Sequence, residues 1–240
     1  RVLFRSGNQR LLSAPEKILG QEVGDLGGSL DTNRQGIVYL SESFSKYYFE
    51  EPNRYREEMV SSKVSGDDNG FSFNSAQAMD FSFYDNQLDL GRPIISPIAE
   101  NALLFYRYEL ESFYTDDEGR QINRIKVIPK RKLDPVFRGY IHIVENSWNI
   151  HSTELMVTKE ASKIPVLDSV VFRQLHVPVK DTVWRMFSQT IDFRLKFFGF
   201  DLQGDFVGVY TNYDLEPQFE KGFFSNEIFV VEEEANEKED

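Results

Sequence analysis

The sequence predicts a mainly β (α+β) fold: a curved antiparallel sheet or half-barrel with a few short helices packed on its concave face. Three observations point there. Aromatic residues make up 14% of the 240 residues, and Phe alone occurs 21 times; aromatics favour strands and bury much area each. Short segments rich in β-branched and aromatic residues follow one another across polar turns, the order of a meander and not of βαβ units. Ile191, Phe193, Leu195 and Phe197 alternate with Asp192, Arg194 and Lys196, the pattern of a strand with one buried and one wet face.

Taken in chain order, residues 1–30 predict an N-terminal helix and a loop. Ser13 is a candidate cap, with Pro15 just inside, Glu16 three residues on and Gly20 as the stop; Gly24 to Asp31 is polar and glycine-rich. A single curved β-sheet domain is expected over 31–230. It opens with strands at Gly36–Glu42, Lys46–Glu50 and Arg54–Lys63, the last two parted by a Pro52-Asn53 turn. Asp67-Asp68-Asn69-Gly70 is a turn signal, and Phe71 to Tyr84 mixes strand alternation with a helical turn at Ser75–Asp80. The stretch 85–97, with Gly91, Pro93 and Pro97, reads as a crossing loop, and Pro97 to Phe105 as a short helix capped by Ser96. Tyr106–Thr115 and Gln121–Pro129 flank a Gly-containing hairpin connection, Phe137–Glu145 and Trp148–Thr158 flank Asn146-Ser147, and strands follow at Ser169–Val179, Ile191–Phe197 and Phe206–Asp214. Residues 231–240 read as an acidic tail or a truncated linker.

Composition narrows the function. The chain has no cysteine, which excludes disulfides, thiolate catalysis and cysteine zinc sites. A formal charge of −12 repels nucleic acid phosphates and anionic lipid headgroups; no nucleic-acid partner is expected. The basic residues cluster only at Lys126 to Lys132, a solvated loop or a partner contact. No run approaches the roughly 18 apolar residues of a membrane helix, and Arg1 to Arg10 lacks the apolar segment of a secretory signal, so the chain reads as a mature or excised piece.

Motifs for catalysis are lacking. There is no zincin helix and no nucleophile elbow; Gly24-Asp25-Leu26-Gly27-Gly28 lacks the spacing of a phosphate loop, and the Asp67 and Asp116 clusters lack that of a calcium loop. No cofactor is expected, and the chain reads as a non-enzyme, with a hydrolase built on dispersed carboxylates as the remote alternative. If Asn146-Ser147 is a two-residue turn, His142 lies directly opposite His151 with Cβ atoms within ~5.5 Å. That arrangement suits a two-histidine metal pair, a pH-sensitive pair, or simply two half-exposed side chains on the outer face. The opposite face would carry Ile141, Ile143, Trp148 and Ile150. Phe193, Phe197 and Phe206, with Trp148 and Ile143, are the candidate lining of an apolar concave face, which a ligand occupies or a helix covers.

Several phrases carry a family resemblance: Leu30-Asp31-Thr32-Asn33-Arg34-Gln35-Gly36-Ile37-Val38-Tyr39-Leu40-Ser41-Glu42-Ser43, Met59-Val60-Ser61-Ser62-Lys63-Val64-Ser65-Gly66, Ser96-Pro97-Ile98-Ala99-Glu100-Asn101-Ala102, Ile128-Pro129-Lys130-Arg131 and Gly199-Phe200. Together they resemble a Bacteroidota outer-membrane family of unknown function labelled carboxypeptidase-regulatory-like domain proteins, from about Glu16 to the end. The resemblance implies the middle region between an N-terminal β-sandwich module and a C-terminal β-barrel, on the periplasmic side of the outer membrane and tethered through a barrel absent from this chain. It implies no peptidase activity. Phe137-Arg138-Gly139-Tyr140-Ile141-His142-Ile143 and Trp148-Asn149-Ile150 also resemble lipoprotein-carrier (LolA-like) half-barrels. The expected partner is therefore an apolar or lipidated ligand. Alternatively it is another envelope protein, docked through loops such as Gly24–Asp31 and Lys130–Asp134.

Overall fold

A computed structural model describes residues 2–13, 17–18, 21–22, 36–52, 54–66, 81–180, 182–197, 199–224, 229–231 and 236–237. Backbone contacts divide the chain into two compact units, residues 1–80 with 202–240, and residues 81–201. Both are built mainly from antiparallel strands, and the described helices, two and short, lie in the second unit; this is the class the sequence predicts.

The first unit contains β1 (Val2–Ser13), β2 (Lys17–Ile18), β3 (Gln21–Glu22), β4 (Gly36–Glu50) and β5 (Arg54–Gly66). Where a helix was expected from Ser13, Ser13 is the last residue of β1 and Lys17–Ile18 pairs with Gln21–Glu22; residues 14–16 and 19–20 lie outside the described residues. The reason is pairing: Val2–Ser6 and Gln9–Leu11 pair antiparallel with β4 across two register shifts, and such a ladder outweighs a local capping preference. β4 is also one strand where the sequence suggested two, because a β-bulge at Phe44/Ser45 absorbs the break in alternation. Against β4 and β5 the rings of Phe219 and Phe223 gather on Tyr48, with Tyr48 and Phe223 edge-on at 5.0 Å, and Phe224 packs on both phenylalanines. The Arg56 guanidinium sits 4.9 Å over the Phe223 ring and donates to the Phe223 carbonyl at 3.1 Å, a cation–π contact reinforced by a hydrogen bond.

The second unit holds β6 (Gln87–Asp89), β7 (Pro93–Ile95), α1 (Ala102–Phe105), β8 (Tyr106–Thr115), β9 (Gln121–Pro129), β10 (Arg138–Val144), β11 (Ile150–Thr158), α2 (Lys159–Ser162), β12 (Leu167–Lys180) and β13 (Val183–Phe197). Its sheet runs β13-β12-β11-β10-β9-β8, each neighbour antiparallel, and it does not close into a barrel. Asp116 fastens the β8–β9 hairpin by accepting from the amides of Glu118 at 3.0 Å and Arg120 at 2.8 Å. Gly139 is required where β10 meets β11: its φ is +138°, and a Cβ there would lie 2.0 Å from the Glu154 carbonyl oxygen. The alternation holds over Ile191–Lys196: Ile191, Phe193 and Leu195 pack towards the core, while Asp192 pairs with Arg173 and Lys196 lies 3.6 Å from Asp168 on the wet side.

β14 (Phe200–Tyr210) starts at the end of the second unit and continues in the first, where it neighbours β1. β15 (Phe229–Val231) and β16 (Asn236–Glu237) pair in parallel with β5, so the expected C-terminal tail contributes backbone to a sheet. The Gly24–Asp31 loop and the Ser75–Asp80 turn lie outside the described residues.

Candidate functional site

The expected apolar cavity is filled by the protein itself. The stretch 81–105 contains the small β6–β7 hairpin and α1, and it lies on the apolar side of the second unit's sheet. Phe83, Leu88, Ile94, Ala99 and Ala102 share one buried cluster with Ile141, Ile143, Ile150, Leu155, Val157 and Phe172 of the strands. Phe83 meets Phe137 edge-on at 5.3 Å, and Phe81 meets Phe172 at 5.1 Å, the geometry aromatic quadrupoles favour.

Polar side chains of the sheet pin the same stretch. Gln174 Nε2 donates to the Phe81 carbonyl at 3.1 Å and to Gln189 Oε1 at 2.6 Å. Tyr106 Oη donates to the Ile95 carbonyl and accepts from the Phe137 amide, Tyr108 Oη donates to the Pro97 carbonyl, and Tyr84 Oη accepts from the Ile150 amide at 2.9 Å. Burial raises the Tyr106 hydroxyl above its ordinary range and pushes Tyr108 up to about 12, so both stay protonated donors.

The expected lining residues separate accordingly. Ile143 is buried in the cluster and Phe193 packs against it. Phe206 is buried in the other unit, on β14. Phe197 belongs to β13, with its side chain outside the described residues. Trp148 is 71% exposed and has no place on the core face. The cause is the turn. Asn146-Ser147 is not a two-residue connection: the Val144 amide bonds the Asn149 carbonyl, the Trp148 amide bonds the Val144 carbonyl, and Asn146 and Trp148 both take positive φ (66° and 59°). The longer loop ends the strand pair early and turns Trp148 outward.

The histidine register changes with it. His142 pairs with Ser152, and a bulge places His151 out of register. The two imidazoles still converge, but on Tyr114: its ring lies 5.9 Å from His142 and 6.3 Å from His151, and its hydroxyl shares a hydrogen bond of 3.2 Å with His142 Nδ1. Trp184 flanks His151 at 6.4 Å and is capped by the Arg120 guanidinium at 4.9 Å. Desolvation, reinforced by Arg124 and His151, lowers the His142 pKa; desolvation also lowers that of His151, with Asp116 opposing and Arg120 assisting. Among the described residues no group of three His, Cys, Asp or Glu side chains could hold a metal ion. The third histidine, His176, is buried edge-on to Tyr84 at 6.3 Å; desolvation, with a smaller push from His151, takes it down to about 4.

What stays uncovered is the far end of β8. Among the described residues β8 pairs only with β9 and ends the sheet. Leu110 opposes Ile125 and Phe113 opposes Asn123, with Glu111 as the extra residue of a bulge between them. That single inserted residue puts Leu110 and Phe113 on the face of Tyr106 and Tyr108, the apolar face. Tyr106 is buried and Tyr108 half-buried under the 81–105 stretch, whereas Leu110 is 65% and Phe113 67% exposed. The covering stops, and the apolar surface continues beyond it along an unpaired edge. The sequence pattern of β8 hid this, because the bulge breaks the strand period as an irregular loop would.

The class these features define is an open antiparallel β domain with a self-filled core and a partly bare edge strand. The chain belongs to a family of unknown function (DUF5686), whose model matches residues 3–213. No curated protein matches it. Among solved structures, it has a slight likeness to a chain in the complex of Pseudomonas aeruginosa MucA and MucB (10% identity, 87% of this chain and 88% of that one, TM-score 0.23). A second is a chain in the crystal structure of MucB with MucA(peri) (9% identity, the same coverage, TM-score 0.19). Likenesses this slight carry no functional argument.

Proposed function

We propose that the chain is a non-catalytic interaction module that takes an extended segment of another envelope protein along β8. The observation that carries this reading is the bare edge at Leu110 and Phe113, on a sheet whose remaining apolar face is already filled. Backbone N–H and C=O groups of an edge strand supply affinity to an incoming strand, and side-chain contacts on alternate residues supply selectivity. Glu109 and Glu111 on the same strand disfavour pairing of two copies of this edge, which favours a different partner. A periplasmic position at the outer membrane, beside a β-barrel, rests on the family resemblance of the sequence.

A photo-crosslinking amino acid at Phe113, introduced in the native envelope, tests the reading. A single crosslinked protein is expected, lost on Leu110→Asp and undiminished by changes at Lys196 on the wet face. Crosslinks that persist in Leu110→Asp, or none at all, would contradict it. A lipid-modified client is the second reading, because the same bare leucine and phenylalanine would seat an acyl chain. Native mass spectrometry separates the two: a lipid-sized mass on the purified protein, lost on Leu110→Asp, favours the lipid.

A further inference from the structure

A second exposed apolar surface lies at the opposite end of β8 and differs in its charge. α1 buries Ala102 and packs Phe105 against the core, which leaves Leu103 71% and Leu104 68% exposed. The loop after β9 returns to this helix: the Lys130 amide donates to the Phe105 carbonyl at 2.8 Å, and Lys130 Nζ donates to the Leu103 carbonyl at 2.6 Å. Arg131 and Lys132 follow, both exposed, and then Leu133, itself 62% exposed. Within the loop the opposing carboxylate is Asp134, held by Arg131 at 3.1 Å; Glu100 precedes the helix. Three bare leucines thus share one corner with three consecutive cations, in a chain whose formal charge is −12.

We propose that this corner docks on an anionic lipid surface, with Leu103, Leu104 and Leu133 entering the headgroup region while Lys130, Arg131 and Lys132 meet its charge. The cations argue for that occupant over an apolar protein groove. Leucine beside lysine and arginine is the chemistry of interfacial anchoring, in which buried apolar area and attraction to anionic lipid act together. The acidic remainder of the chain does not cancel it, because charges beyond the Debye length of about 8 Å at physiological salt are screened. The surface is separate from the bare end of β8, so either can stand without the other.

The test is co-sedimentation of the full chain with vesicles of phosphatidylcholine containing about one-third phosphatidylglycerol, against phosphatidylcholine alone. Binding is expected only to the anionic vesicles. Each cation near such a surface contributes roughly fivefold, so Arg131→Gln with Lys132→Gln should weaken binding about 25-fold, and Leu103→Ser with Leu104→Ser should also weaken it by at least about tenfold. A site-specific probe makes the result independent of these variants. The chain has no cysteine, so a polarity-sensitive dye on Leu104→Cys reports this corner alone, and one on Asp117→Cys reports the far end of β8, roughly 30 Å away at about 3.3 Å per residue. The dye at 104 should shift to the blue with anionic vesicles and that at 117 should not. No sedimentation, equal sedimentation with neutral vesicles, undiminished binding of both double variants, or equal shifts at the two positions would each overturn the proposal.

Discussion

His176 offers a quantitative test of how the second unit is packed. Its imidazole is buried against Tyr84, its Nδ1 has no hydrogen-bond partner, and desolvation takes its pKa from 6.5 to about 4. The unfolded chain therefore binds a proton near pH 6.5 that the folded chain refuses until about pH 4. The stabilising contribution is complete above pH 6.5, falls as the pH drops through that value, and is fully lost below about pH 4. At about 1.4 kcal/mol per pH unit, the whole loss is about 3 kcal/mol, of which about 2 kcal/mol has gone by pH 5. His176→Leu removes the titration while keeping an apolar side chain of similar size. Urea unfolding followed by circular dichroism at pH 8, 6 and 5 should show the leucine variant gaining about 2 kcal/mol on the native protein between pH 8 and pH 5. The carboxylates titrate in both proteins and drop out of the difference. Parallel pH profiles would refute the argument, because they would mean that the imidazole is hydrated or finds a partner when charged.

Three further outcomes follow from the same packing. Phe83→Ala removes the ring that meets Phe137, Phe172 and Phe81 and should cost about 3–5 kcal/mol, read as a lower urea midpoint together with new binding of an apolar dye. Gly139→Ala drives a methyl into the Glu154 carbonyl and should cost more than about 3 kcal/mol or prevent folding, as thermal unfolding will report. Phe113→Lys should change stability by no more than about 0.5 kcal/mol, as at other exposed sites, while abolishing capture of the partner segment; a large loss of stability would mean that Phe113 belongs to the core.

The parts of the fold that were legible in the sequence are those whose signals are local. The β8–β9 hairpin announced itself through Asp116-Asp117-Glu118-Gly119, because Asp116 can fold back on its own turn. The Ile191–Phe197 stretch was legible because its alternation has no interruption. The β10–β11 turn was misread because Asn146 is a fair residue for positive φ, but nothing in a tryptophan signals that Trp148 takes it too. From that one turn follow both the displaced histidine register and the outward Trp148. Val183 to Thr190 gave no clear strand, since the pairing of β12 with β13 shifts register at Leu175/His176 and breaks the alternation.

The largest gap concerns residues 81–105. Their apolar residues, Phe83, Leu88, Ile94 and Ala102, follow neither a helical nor a strand period, so they read as a crossing loop and a helix. Ser96 makes the expected capping contact, its hydroxyl accepting from the Ile98 amide at 3.3 Å while donating to the Phe83 carbonyl, but the helix itself is confined to Ala102–Phe105. That an aperiodic stretch fills the sheet is a property of tertiary packing, and the abundance of Phe favoured ordinary core over a ligand cavity without showing which segment supplies it. The bare end of β8 was hidden for a related reason: only the bulge at Glu111 puts Leu110 and Phe113 on one face.

Amide hydrogen exchange on the native chain addresses the central claim most directly. If residues 81–105 are a permanent part of the core, the amides of Ile95, Ser96 and Ala102, which are bonded to Pro135, Asn86 and Ala99, exchange as slowly as those of β10 and β11, and far more slowly than the exposed end of β8. Exchange of that stretch within seconds, while β10 and β11 remain protected, would show a lid that opens over a vacant apolar face, and the account of a self-filled sheet would fail.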